Sequence, residues 1–66
     1  MQIKINGDKR QVRDRISISE LLEELNIERQ GIAVEQNKVV IPKSEHNEKI
    51  ISEGDVIEII QMVGGG

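Results

Sequence analysis

The chain has 66 residues and a net charge of −3, with no cysteine and no Phe, Tyr or Trp. That length holds one small domain, which buries only about 60% of the surface its unfolded form exposes. Disulfides, thiolate nucleophiles and thiolate metal ligands are excluded, and the core has to be aliphatic, with isoleucine dominant.

The charge is too weak and too dispersed for nucleic acid, which calls for a basic face to neutralise phosphates. No apolar run approaches membrane-spanning length. The N-terminus "MQIKING" lacks the charged and apolar regions of an export signal, so a cytoplasmic location is expected.

Residues 2–6 alternate, with Ile3 and Ile5 on one face, as in a half-buried strand. Gly7-Asp8 reads as a turn, and "KRQVRD" follows as a polar edge strand whose main apolar residue is Val12. Ser17 and Glu20 stand in capping-box spacing, flanked by Ile16 and Leu21 at the hydrophobic-staple positions. Ile18, Leu21, Leu22 and Leu25 form the buried stripe of the helix that follows. Glu20, Glu23 and Glu24 lie on its wet face, and the helix is expected to end near Asn26.

After Gly31, "IAVEQ" is a third strand with Ile32 and Val34 on one face; "NK" turns the chain into "VVI", which Pro42 ends. "KSEHNEK" is polar and suits a surface loop with a short helical turn. Ile50 and Ile51 are expected to return to the core, "EGD" to make a tight turn, and "VIEIIQMV" to be the longest apolar strand. In that strand Ile57 and Ile59 face the helix, while Val56, Glu58, Ile60 and Met62 face away.

This order is α+β. It predicts a mixed sheet of four or five strands, the first and last placed centrally, with one helix across one face, in the ubiquitin-like β-grasp manner. The domain is expected to span residues 1–63, with 64–66 a glycine tail.

Catalytic constellations are missing. His46 is the one histidine, placed in the polar loop without the three or four converging ligands a metal needs. No serine has a histidine nearby in sequence, and no glycine-rich phosphate loop follows a strand. What remains is the C-terminal carboxylate. It is ionised near neutral pH, a poor electrophile as it stands, and an acyl donor once joined to AMP. Glycines without Cβ can thread the narrow channel of an enzyme performing that activation.

The whole chain resembles the ThiS family, the sulfur carriers of bacterial thiamine (thiazole) biosynthesis. The resemblance rests on "IKINGD", "SISELLEELNI", "IAVEQNKVVIPKSE", "EGDVIEII" and the terminal "QMVGGG", in that order and spacing. It implies a carrier and not an enzyme, adenylated on the carboxyl of Gly66 by a separate E1-like adenylyltransferase that uses ATP. It also implies that no cofactor is bound stably. Sulfur derived from a cysteine desulfurase would convert that carboxyl to a thiocarboxylate, and thiazole synthase would receive the sulfur. Gly64 and Gly65 would be the flexible approach; Ile60 and Met62, which strand alternation leaves exposed beside it, are expected to be docking residues. The chain departs from the family pattern in its third glycine, Gly64, and in His46, where an aromatic residue is common. Three other readings of the same fold stay open: a molybdopterin-type sulfur carrier, a ubiquitin-like modifier joined to lysines, and an interaction module with an inert tail.

Overall fold

The computed structural model describes residues 1–62. The elements are β1 (Gln2–Ile5), β2 (Asp8–Gln11), α1 (Ile18–Glu24), β3 (Ile32–Gln36), β4 (Val39–Ile41), a 3-10 turn (Lys43–Glu45) and β5 (Val56–Gln61). The strands form one sheet of order β2-β1-β5-β3-β4. β1 and β5 are parallel and the other pairs antiparallel, so the sheet is mixed and the fold is a β-grasp.

The two hairpins rest on turns that need left-handed backbone. Ile5 is paired with Asp8, which leaves Asn6-Gly7 as a two-residue loop with φ of 49° and 89°. Positive φ at both central positions is the requirement of a type I′ turn, and Asn-Gly is its preferred dipeptide. The turn therefore sits one residue earlier than the Gly7-Asp8 expected from the sequence, and Asp8 belongs to β2. The expected "NK" turn is Asn37-Lys38, again with positive φ at both residues. β2 is exposed throughout and closes at Gln11. Val12 follows it, half-buried against the core, its N–H donating to the Met1 carbonyl at 2.9 Å.

The helix begins as its sequence dictates. Ser17 Oγ accepts from the Glu20 N–H at 3.1 Å, and Glu20 Oε1 accepts from the Ser17 N–H at 2.9 Å, closing the capping box. That Ser17 N–H is the main reason the Glu20 carboxyl titrates below its usual range; desolvation opposes it, and the Arg13 charge adds to the lowering. Ile16 and Leu21, the staple positions, are both buried in the core. At the other end Asn26 takes φ of 56°. The N–H groups of Asn26 and Ile27 donate to the carbonyls of Glu23 and Leu22, which is a Schellman arrangement.

The core lies between the helix and one sheet face. Ile18, Leu21 and Leu22 meet Ile3, Val34, Ile41 and Ile57, with Ile16 and Ile51 completing the buried set. Ile5, Ile59 and Leu25 pack against its margin.

Two further expectations are overturned. His46 is not on the surface; it is 2% exposed, and its Nε2–H donates to the Ile41 carbonyl at 3.1 Å. The 3-10 turn after Pro42 brings the ring back against β4, where Nδ1 is buried without a partner among the described residues. The His46 backbone carbonyl also accepts from the Ser19 N–H. Ile50 does not return to the core: it is 47% exposed, and Ile51 alone enters. The reason is extended pairing, since Ser17 and Ile50 form a bridge with the Ile51 N–H on the Ile16 carbonyl. Successive residues of such a segment point to opposite sides, so only one of the two isoleucines can face inward.

Candidate functional site: the end of the central strand

Alternation along β5 separates packing residues from surface residues. Ile57 is fully buried and Ile59 half-buried, while Val56, Ile60 and Met62 are exposed. Ile60, at 44%, stands opposite Ala33 of β3, and Met62, at 58%, lies just beyond the strand. Ile60 and Met62 share the face turned away from the helix, as their spacing predicts.

The strand is anchored at both ends. At its start, Asp55 Oδ2 accepts from Gln36 Nε2 at 2.7 Å and from the Ser52 N–H at 2.8 Å, and Oδ1 accepts from Asn37 Nδ2 at 3.0 Å. Burial alone would raise the Asp55 pKa, but these donors, helped by Lys49, outweigh it and hold the carboxyl below its usual range. Asn37 Oδ1 in turn accepts from the Val56 N–H at 2.9 Å. The tight turn expected at Glu53–Asp55 is present, closed by the Asp55 N–H on the Ser52 carbonyl.

Further along, β1 runs out beside Ile57. The Asn6 side chain takes over, with Oδ1 accepting from the Ile59 N–H at 2.8 Å. On the other side, the Met62 N–H donates to the Gly31 carbonyl at 2.7 Å. Paired backbone thus guides the chain up to Met62, and four residues follow it. Gly64, Gly65 and Gly66, the expected tail and carrier position, lie outside the described residues, as does the boundary expected after residue 63. Asn6 and Asp55 were not singled out in the sequence, although the Asn-Gly dipeptide was a usable signal for the former. Among the described residues, no three His, Cys, Asp or Glu side chains come together to hold a metal ion. Among them also, no helix is long and apolar enough to cross a membrane.

A mixed five-stranded sheet of this order with one helix across one face places the chain in the β-grasp class of proteins. The chain belongs to the ThiS family, whose sequence pattern matches residues 3–66. It is 37% identical over 65 residues to the sulfur carrier protein ThiS of Bacillus subtilis, covering 97% of this chain and 98% of that one. It is similar as well to a thiazole synthase of Paramagnetospirillum magneticum, 35% identical over 66 residues. There it spans all of this chain and only 20% of that protein. Among solved structures, ThiS of Geobacter metallireducens superimposes with a TM-score of 0.89 at 26% identity, covering 100% of both chains.

Proposed function

We propose that this chain, a ThiS-family sulfur carrier of thiamine biosynthesis, bears its cargo as a thiocarboxylate on the carboxyl carbon of Gly66. It is a carrier and not a catalyst. An E1-like enzyme transfers AMP from ATP to the Gly66 carboxylate and releases pyrophosphate. The terminal sulfur of a persulfide derived from a cysteine desulfurase then attacks the acyl carbon and AMP departs, leaving an acyl disulfide; a thiol reductant supplies the two electrons that cleave its S–S bond and leave the thiocarboxylate. Thiazole synthase takes up that sulfur.

The observation that carries this reading is the family match through the terminal glycine, residues 3–66. The presence of a similar segment within a thiazole synthase supports the choice of acceptor. The chemistry supports it too, because a carrier that holds sulfur on an acyl carbon needs no thiol, and the chain has no cysteine. Ile60 and Met62 serve as the apolar contact beside the tail, since exposed apolar groups next to a reactive end favour docking.

The test is intact mass measurement of the protein from cells. Replacement of one oxygen by sulfur is expected on the free chain. Removing Gly66, or adding one residue after it, should abolish loading and leave thermal unfolding unchanged. Loading of the extended chain would refute the terminal-carbon mechanism. Chain found attached to lysines of other proteins would favour a modifier instead.

A further inference from the structure

The sheet face turned away from the helix carries its charges in an arrangement that solvation alone does not require. Lys4 of β1 stands directly opposite Lys9 of β2, and Glu35 of β3 directly opposite Glu58 of β5. Like charges at opposed positions repel, whereas opposed unlike charges attract. The lysine pair is of the closer kind, because the Lys4 N–H turns toward β5 and donates to the Asp55 carbonyl.

Protection of a sheet edge explains Lys9 on β2. It does not explain Glu58 on the central strand, or Glu35 on a strand flanked by two others. The ion pairs among the described residues are Met1 with Asp14 and Arg13 with Glu20, so none of these four charges is compensated in that way. Exchanging one lysine with one glutamate would have turned both repulsions into attractions. The face is instead polarised, positive over β1 and β2 and negative over β3 and β5. Ile60 and Met62 sit at its negative end, two and four residues beyond Glu58.

We propose that this polarised face is the surface on which thiazole synthase docks. The synthase presents a basic side chain, best an arginine, across Glu35 and Glu58, and an acidic one across Lys4 and Lys9. An apolar contact on Ile60 and Met62 completes the surface. The proposal rests on the reading above only in taking thiazole synthase as the acceptor. A segment similar to this chain is part of the same polypeptide as one such synthase. A separate carrier has to find by diffusion what that polypeptide holds covalently, and complementary charge speeds and orients such an encounter. Paired like charges, left uncompensated in the free carrier, become favourable when the partner's opposite charge lies between them.

The experiment compares the full chain with the double variant Glu35→Gln, Glu58→Gln, and with Lys4→Gln, Lys9→Gln. Association with thiazole synthase is followed by stopped flow at about 20 and about 200 mM salt, where screening differs. Each double variant is expected to associate about tenfold more slowly at the lower salt and to lose most of its salt dependence. Each should also unfold at the same or higher urea concentration, because a repulsion is removed; a purely structural role would lower it. Unchanged association rates and salt dependence would overturn the proposal. So would slowed association with the adenylating enzyme alone. The unloaded chain is used throughout, so docking of this kind by a chain that never acquires sulfur would support the surface while refuting the cargo.

Discussion

Placing the same substitution at two positions of β5 tests how the strand divides its work. Thr is β-branched like Ile, so Ile57→Thr and Ile60→Thr change strand propensity alike and differ in burial. Ile57 is fully buried in the core, while Ile60 is 44% exposed on the open face. At Ile57 the change removes a buried methyl group, about 1 kcal/mol, and buries a hydroxyl without a partner, about 1–3 kcal/mol more. The sum is roughly 2–4 kcal/mol, against a total stability of about 3–10 kcal/mol for a domain of this size. At Ile60 the hydroxyl reaches water, so the loss should stay below about 0.5 kcal/mol. With a urea slope near 1 kcal/mol/M for a small protein, the midpoint should fall by about 2–4 M for Ile57→Thr and by less than about 0.5 M for Ile60→Thr. Far-ultraviolet circular dichroism is the assay, since the chain has no aromatic residue to follow by fluorescence. Equal shifts at the two positions would refute the assignment of Ile57 to packing and Ile60 to the surface.

Asp55 makes stability depend on acid. Its pKa is held below the usual carboxylate range, so its contribution is complete above the unfolded value near ~4 and is lost as pH falls through the lower folded value. Urea midpoints measured down to about pH 3 should fall less steeply for Asp55→Asn than for the parent chain, with Asp55→Asn less stable near neutral pH; parallel curves would contradict this. At His46, Ala should cost about 3 kcal/mol through the cavity it leaves. Phe should cost no more than about half as much, since it fills the site and sacrifices only the bond to the Ile41 carbonyl. Denaturant titration separates the two, and a tolerated His46→Ala would return His46 to the surface.

Features governed by neighbours along the chain were legible in the sequence. The capping box of Ser17 and Glu20, the helical stripe and the alternation of Ile57 and Ile60 each depend on a few consecutive residues and one structural period. The β-grasp followed from the order of these elements and the few ways of covering their apolar faces. The first hairpin turn is local as well, carried by Asn6-Gly7, although the overlapping Gly7-Asp8 offers turn residues one position later. Other features depend on what lies across from a residue. His46 sits in a run of polar side chains that reads as solvated, and only the fold of the 3-10 turn beneath Ile41 takes it inside. Ile50 and Ile51 are alike in sequence; the bridge to Ser17 decides that one of them stays outside. The parallel alignment of β1 with β5, and the register that sets Lys4 against Lys9 and Glu35 against Glu58, join residues as far apart in the chain as Ile5 and Ile57. Strand pairing moves every opposed residue together when it slips, so no single residue specifies it. The buried face as a whole sets the register, and only the tertiary structure contains that face.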